Sequence, residues 1–147
     1  MTTLTFDVSA DLNAPAIAKG SHTAKIINTE VVTYNNEDQL CITWKIGDNT
    51  FKDKFKLWAD VETKRNHAGK KLNHLCVAVG VHFPVPKAGG KVHFDVSVLI
   101  GKTSRVFVEE FANDKGERFP YIETYAPATL ADIVNQETHS KHGNANA

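Results

Sequence analysis

The amino-acid sequence predicts a mainly β protein that contains one helix. Apolar and polar residues alternate in several stretches on both sides of the middle of the chain, which is the period of a strand. Between these stretches, apolar residues recur at spacings of three and four, which is the period of a helix. Short runs of Asn, Asp and Gly separate the alternating stretches and are typical of tight turns. We therefore expect antiparallel strands, with the helix as a single interruption.

Three strands joined by short turns are predicted before the helix. Residues 22–34 are rich in β-branched side chains but alternate imperfectly, which predicts a strand with a bulge. The second and third strands are expected over residues 40–46 and 49–58, each after a short turn. Trp44 shares its side of the second strand with three aliphatic residues and is therefore predicted to lie in the core.

One helix is predicted after the third strand, between Asp60 and Gly80. Asp is a residue type that caps helix N-termini, and Gly is typical of the position that ends a helix. The stripe of this helix that is expected to face the core consists of Ala68, Leu72, Leu75, Cys76 and Val79.

A hairpin is predicted to close the domain. Alternation resumes over residues 92–100 and, after an interruption at Gly101, continues over residues 103–111. The run Asn113-Asp114-Lys115-Gly116 is a strong signal for a tight turn between two strands. The returning strand is expected over residues 118–125, with a short helical turn after it.

This order of elements is typical of an OB-like five-stranded Greek-key barrel with one helix between strands 3 and 4. Such barrels bind oligonucleotides or oligosaccharides across one face of their strands. The OB-like domain is predicted over residues 21–127. An N-terminal arm over residues 1–20 precedes it, and a polar, flexible C-terminal tail over residues 128–147 follows it.

Composition and charge limit the classes of partner. The 147 residues carry a formal net charge of zero, so a polyanion would have to be bound by a local patch. The chain has only two cysteines, and both lie in apolar runs, which indicates buried free thiols in a reducing compartment. No secretory signal and no apolar run of bilayer-spanning length is present, so a cytoplasmic protein without a membrane partner is expected.

A ladder of lysines is the first candidate binding surface. In the segment NTFKDKFKLW, Lys52, Lys54 and Lys56 alternate with mostly apolar residues and lead to Trp58. On a strand these three lysines, which we call the lysine ladder, would share one face. They could bind successive phosphates of a single strand while Trp58 stacks on a base. Lysines that protect an edge strand from aggregation would give the same pattern.

The closing hairpin is the second candidate surface. If its valines and Ile122 face the core, several aromatic and basic side chains share the opposite face. Aromatic residues gathered on an outward face require a ligand, a covering segment or a second subunit. The side chains predicted on this face are Arg105, Phe107, Phe119, Tyr121 and Tyr125.

Other basic segments have weaker signals. The polar stripe of the helix contains Lys64 and Lys71, with Arg65 and Lys70 beside it, and either extends a positive surface or only faces solvent. The loop Lys87–Lys91 is basic and rich in glycine. The sequence contains no motif for catalysis or metal binding, so neither an enzyme nor a cofactor is predicted.

Several marks in one order resemble a family of short bacteriophage proteins encoded among replication and recombination genes. The marks are KGSHTAKI, QLCITWKIGDNTFKDKFKLW, the helix end LNHLCVAVG, the strand start LIGK and the closing IETYAP. Members of this family are regarded as single-stranded-DNA-binding proteins with an OB-like fold. The likeness covers residues 6–127. It departs from many such proteins at the end of the chain, where no strongly acidic tail is present.

The resemblance implies binding of single-stranded DNA with little sequence preference in phage replication or recombination, in the host cell cytoplasm. Host or phage replication proteins are possible further partners, and the oligomeric state, including a homodimer, stays open. One alternative is a protein-interaction module that binds a host replication or recombination enzyme through the hairpin. A more distant alternative is a nuclease on an OB-like scaffold. The residues expected to bind DNA are Lys52, Lys54, Lys56, Trp58, Arg105, Phe107, Phe119 and Tyr121.

Overall fold

Five strands and the α-helix that packs on them are the main elements of the described residues, which confirms the mainly β prediction. The structure is a computed structural model and describes residues 3–5, 17–84 and 92–133. In chain order the elements are β1 (Gly20–Tyr34), β2 (Glu37–Ile46), β3 (Asn49–Phe55), α1 (Glu62–Val79), a 3₁₀ helix (Val96–Leu99), β4 (Thr103–Ala112) and β5 (Arg118–Pro127).

The five strands form one antiparallel sheet in the order β3-β2-β1-β4-β5. β1 is 15 residues long and lies at the centre. Its N-terminal part pairs with β4 and its C-terminal part pairs with β2, so one bent strand connects the two halves of the sheet. β3 and β5 are consequently the two edges.

Turn chemistry fixes the hairpins. Asn35 and Asn36 have φ values of 50° and 62°, which is the backbone that a two-residue hairpin loop between right-twisted strands requires. In the β4–β5 turn, the side-chain oxygen of Asn113 accepts hydrogen bonds from the backbone N–H groups of Lys115 and Glu117 at 3.0 and 2.9 Å. Both turns lie where the sequence predicts them.

The core lies between one face of the sheet and α1. Trp44 is fully buried in it, as predicted. Most of the predicted apolar stripe of α1 is also buried, while Val79 is only half-buried. The fully buried side chains of the core include Ile26, Leu40, Ile42, Phe55, Leu75, Leu99 and Val106.

The sheet is not closed into the predicted Greek-key barrel, because no backbone pairing joins β3 to β5 among the described residues. Side chains connect these edges instead. Asp53 of β3 is 3% exposed, and its carboxylate accepts a hydrogen bond from the Tyr125 hydroxyl of β5. The Trp44 indole donates to the same carboxylate at 3.4 Å, and the Lys71 ammonium of α1 donates to it at 2.7 Å. We call these four residues the seam.

Two bulges change which side chains face the core. The pairing of β1 with β2 shifts between Ile26 and Asn28, which confirms the bulge predicted in the first strand. A second shift lies between β4 and β5, where Glu123 is the extra residue. Because an extra residue reverses the alternation beyond it, Tyr125 lies in the core beside Ile122. The predicted outward position of Tyr125 is therefore wrong.

Two further predictions about local structure are wrong. Residues 92–100 form no strand, because the Asp95 side chain accepts hydrogen bonds from the backbone N–H and hydroxyl of Ser97 and starts the 3₁₀ helix. Val61, rather than Asp60, occupies the N-cap position of α1, without a capping side-chain hydrogen bond. The end of α1 at Gly80 is as predicted.

The ends of the chain are described only in part. Residues 6–16 of the predicted arm, residues 134–147 of the predicted tail and the basic loop Lys87–Lys91 lie outside the described residues. The helical turn expected at the start of the tail is present over residues 130–133. Among the helices that the structure describes, none is both long and apolar enough to cross a membrane.

Candidate nucleic-acid interface

The candidate interface lies on the face of the sheet opposite the core, which we call the outer face. Strand alternation places the residues between buried neighbours on this face. Lys25 lies between Ala24 and Ile26, which are fully buried, and the same argument applies along the other strands. The outer face carries Lys25, Glu30, Lys45, Lys52, Lys54, Arg105, Phe107, Glu109, Phe111, Phe119 and Tyr121.

The lysine ladder lies at the β3 edge of the outer face. Lys52 is paired in register with Thr43, and Lys54 is paired with Cys41. Lys56 follows the end of β3 and is exposed, and Trp58 lies in the next turn with 50% of its surface exposed. The lysine ladder thus consists of Lys52 and Lys54 on β3 and of Lys56 in the loop that follows. Its indole is accessible for stacking.

The ladder has no carboxylate partner among the described residues. The cations that form ion pairs among the described residues are Lys19, Lys71 and Arg118. Of these, Lys71 lies on the core side of β3, where its ammonium is 2.7 Å from the Asp53 carboxylate. The Lys54 ammonium instead lies 5.3 Å from the centre of the Tyr34 ring. Because these charges are unpaired and exposed, they are available to an external anion.

Two lysines that the sequence analysis did not select continue the positive surface. Lys25 and Lys45 lie directly opposite each other on β1 and β2. Like charges in such a pair destabilise a sheet unless an anion lies between them. Lys25 is also paired with Thr103 of β4, beside Arg105. A row of basic side chains therefore crosses the sheet from β3 to β4.

Arg105 and Phe107 lie on the outer face of β4, as predicted. Arg105 is half-buried, and its guanidinium donates a hydrogen bond to the Ser21 hydroxyl at 3.0 Å. Phe107 is half-buried between Ser21 of β1 and Thr124 of β5. The hydrogen bond to Ser21 fixes the Arg105 guanidinium at the surface while leaving other N–H groups to donate.

Exposed aromatic rings cluster next to the turn that joins β4 to β5. Phe119 and Tyr121 are 39% and 40% exposed. Phe111, which was not predicted as a site residue, is 55% exposed and pairs with Phe119 across the strands. Its ring centre lies 5.3 Å from that of Phe119 and 6.2 Å from that of Tyr121. Alternation along β4 could have found Phe111, since it continues the series of Arg105 and Phe107. We call Phe111, Phe119 and Tyr121 the aromatic cluster.

Acidic residues surround the aromatic cluster. Glu109 lies directly opposite Tyr121 and forms an ion pair of 3.4 Å with Lys19. Glu110 pairs at 3.4 Å with Arg118. Glu123, the bulge residue, is exposed and has no ion pair among the described residues. Two of these three acids are thus neutralised by cations, and the cluster differs from the lysine ladder in lacking unpaired positive charge.

The seam is largely buried and joins β3, which carries part of the lysine ladder, to β5, which carries part of the hairpin surface. Burial raises the pKa of Tyr125 well above its ordinary value, and the neighbouring Asp53 carboxylate raises it further. Tyr125 therefore stays neutral and donates its proton to that carboxylate. Its ring also stacks on Trp44 with ring centres 5.9 Å apart. His74 of α1 lies 3.0 Å from the Tyr125 carbonyl oxygen, so the helix is held against β5.

A neutral thiol lies beneath the ladder. Cys41 is opposite Lys54 on one side and Glu30 on the other, and it is only 1% exposed. Burial raises its pKa, and this effect outweighs the lowering by Lys52. Cys41 therefore adds no negative charge in front of the ladder. Both cysteines are free and buried, as predicted.

The pairings place the ladder and the hairpin residues on one face but on separate strands. β3 is three strand positions from β4 and four from β5, or about 14 and 19 Å along the sheet at about 4.8 Å per strand. Because the sheet curls until Asp53 and Tyr125 meet inside, outward side chains on distant strands diverge. Arg105 and Phe107 are thus neighbours along β4, and Phe119 and Tyr121 are neighbours along β5, on strands that do not pair with β3.

Comparisons with known proteins and the search for metal ligands add no site. No protein-family model matches the chain, and no curated protein matches it. Within residues 3–5, 17–84 and 92–133, no group of three or more His, Cys, Asp or Glu side chains could hold a metal ion.

Proposed function

We propose that this protein binds single-stranded DNA with little sequence preference, in phage replication or recombination within the host cell. The observation that carries the proposal is the row of basic side chains across the outer face, whose lysines form no ion pair among the described residues. Lys25 opposite Lys45 is the central part of this row, because two lysines facing each other on adjacent strands favour an anion between them.

The basic row would neutralise the phosphates of the bound strand. Lys52, Lys54 and Lys56 form one end of the row, Lys45 and Lys25 its middle, and Arg105 its other end. Each phosphate neutralised on a single strand releases condensed counterions and contributes about 0.7 to the slope of log affinity against log salt. Binding of this kind depends on the charge of the backbone and not on base identity.

Aromatic side chains would supply the contact with unpaired bases. Trp58 lies next to the ladder, and Phe107, Phe119 and Tyr121 lie on the hairpin. Stacking of one base on an aromatic ring contributes about 1–3 kcal/mol and tolerates every base. A duplex keeps its bases stacked inside, so this contribution favours single strands.

We assign the fold to a partly open barrel of the OB type, in which β1 connects a β1-β2-β3 meander to the β4–β5 hairpin. The strand order and the position of α1 after β3 support this assignment. The seam takes the place of β3–β5 backbone pairing. Membership of the phage single-stranded-DNA-binding family, inferred from sequence marks, is part of the same proposal. The protein would coat exposed strands and would not act as an enzyme.

Tryptophan fluorescence tests the proposal. Poly(dT) should quench the emission of Trp58, whereas a duplex of equal length should leave it unchanged. Trp44→Phe should retain the quenching because Trp44 is buried in the core, and Trp58→Ala should remove it. Equal quenching by duplex and single strand, or none by either, would exclude stacking of unpaired bases.

The aromatic cluster favours a second candidate function, a protein-interaction module. Its rings are exposed and surrounded by acidic groups, which suits a partner surface that is both apolar and basic. A host replication or recombination enzyme would be such a partner. Capture of one purified enzyme that survives nuclease treatment and is lost in Phe111→Ser, with no retardation of oligonucleotides, would support this function instead.

A further inference from the structure

A further candidate site lies in the space between the end of β3 and α1. A cleft of about 390 Å³ opens there. Its floor includes Phe55, which is 1% exposed, and Ala68, which is 4% exposed. Its walls carry the basic side chains Lys54, Lys56, Lys64, His67 and Lys71.

The charges in this cleft are unbalanced. Four lysines line it, and none of its described lining residues carries a carboxylate. Only Lys71 has an acidic partner, because its ammonium is bound at 2.7 Å to the buried Asp53 carboxylate. Lys54, Lys56 and Lys64 therefore line the cleft without an ion pair among the described residues, and the Lys54 ammonium itself lies at the rim, 5.3 Å from the centre of the Tyr34 ring.

Solvent exposure of the polar face of α1 does not explain why these lysines line a common cleft. On an ordinary solvated face, the charge of Lys64 would point into open water, away from lysines of other elements. Here it shares a concave space with two lysines from a different element. Bringing three like charges together costs electrostatic free energy, which an anion in the cleft would offset.

We propose that this cleft binds a phosphate group of the DNA strand, held by Lys54, Lys56 and Lys64. The inference rests on the proposed function, since Lys54 and Lys56 also belong to the lysine ladder. It extends that function by making α1 the second wall of the binding path. Lysine binds phosphate as a point charge, so the cleft accepts either an internal diester or a terminal monoester. A terminal monoester carries about −1.5 to −2 charges and would gain more from three lysines.

Lys64→Gln tests the cleft, with Lys70→Gln as the matched control. Both lysines are exposed on α1 and both changes remove one charge, but Lys70 does not line the cleft. We expect Lys64→Gln to weaken binding of oligo(dT) about fivefold at low salt and to lower the salt slope by about 0.7. Lys70→Gln should change neither quantity. Equal effects of the two variants would overturn the proposal.

The source of the phosphate is identified by the ends of the oligonucleotide. Oligo(dT) with a 5′-phosphate, with a 3′-phosphate and with neither should be compared on the wild type and on Lys64→Gln. A loss confined to one phosphorylated form identifies a terminal monoester of that end, and an equal loss on all three identifies an internal diester.

A direct titration keeps the inference separate from the proposed function. Inorganic phosphate should shift the NMR amide resonances of Lys64 and His67 in the full chain, and Lys64→Gln should abolish the shift. Such shifts in a protein that fails to bind poly(dT) would support the cleft and reject the proposed function. Absence of shifts in a protein that binds poly(dT) would reject the cleft alone.

Discussion

The β3–α1 side of the molecule and the β4–β5 hairpin differ in both charge and chemistry. Residues 52–71 contain seven basic and three acidic side chains, a net charge of +4, whereas residues 109–137 contain two basic and seven acidic ones, a net charge of −5. The first region has exposed lysines without partners, and the second has exposed rings whose acidic neighbours are largely paired.

Because of this difference, the two regions would contribute to binding in different ways. Unpaired lysines attract a phosphate backbone over a distance that salt shortens. Aromatic rings act only at contact, and salt hardly affects them. A polarised molecule of zero net charge would therefore approach DNA by its β3–α1 side and use the hairpin afterwards, either for bases or for a partner protein.

The largest expected effect comes from breaking the seam that joins the two regions. Asp53→Asn removes the negative charge that Lys71 and Tyr125 both bind, and it leaves the partly buried ammonium of Lys71 without an anion. We expect a loss of about 3 kcal/mol in the free energy of unfolding, measured by urea denaturation. Asp60→Asn, at an exposed position, should cost almost nothing. A similar small cost for both variants would show that the seam does not hold the edges together.

Alkaline pH should destabilise the fold through two buried groups, Cys76 of α1 and Tyr125 of the seam. Burial raises the pKa of Cys76 to about 11, and burial and Asp53 raise the pKa of Tyr125. The unfolded chain ionises both groups at their ordinary values of 9.0 and 10.0, so above pH 9 it binds fewer protons than the folded chain. Stability is therefore full below pH 9 and falls as the pH rises, by about 2–3 kcal/mol from Cys76 alone. Cys76→Ala should flatten the fall in urea titrations between neutrality and about pH 11. An unchanged profile would argue against Cys76 as its source.

Removing the rings of the hairpin tests the second region separately. The double variant Phe119→Ala, Tyr121→Ala should weaken binding to oligo(dT) about tenfold, because one stacked base is lost. The salt slope should stay as it is, since no charge changes. Val77→Ala removes an exposed apolar side chain from α1 and serves as the control. Wild-type affinity in the double variant would assign the cluster to a protein partner.

The smallest effect is expected from the unpaired acid of the hairpin. Glu123→Gln removes a negative charge near the aromatic cluster, so DNA should bind about twofold more tightly at low salt, with no difference at high salt. Fluorescence anisotropy at two salt concentrations measures both values. An unchanged affinity at low salt would mean that DNA does not approach the hairpin.

The regular elements could be predicted because their signals are local. The alternation around Trp44 and the spacing of the α1 stripe each reflect burial on one side of one element. The sequence of residues 92–100 also alternates, but the Asp95 side chain competes for backbone hydrogen bonds and favours a 3₁₀ helix. In this segment the hydrogen bonds of the Asp95 side chain, and not the alternation of apolar residues, determine the local structure.

The seam and the bulge could not be predicted because they depend on distant residues. Asp53 stands among lysines in the sequence, but its partners Lys71 and Tyr125 lie 18 and 72 residues later. The extra residue at Glu123 is visible only from the pairing of β4 with β5. The row through Lys25 and Lys45 likewise appears only when the register of β1 against β2 is known.

The salt dependence of oligo(dT) binding tests the account most directly, when two variants of equal charge are compared. The triple variant Lys52→Gln, Lys54→Gln, Lys56→Gln should lower the log–log slope by about 2, because three phosphate contacts are lost. A triple change of Lys70, Lys102 and Lys115 to Gln, all exposed and outside the ladder, should leave the slope as in the wild type. The same slope in both triple variants would contradict the role of the lysine ladder.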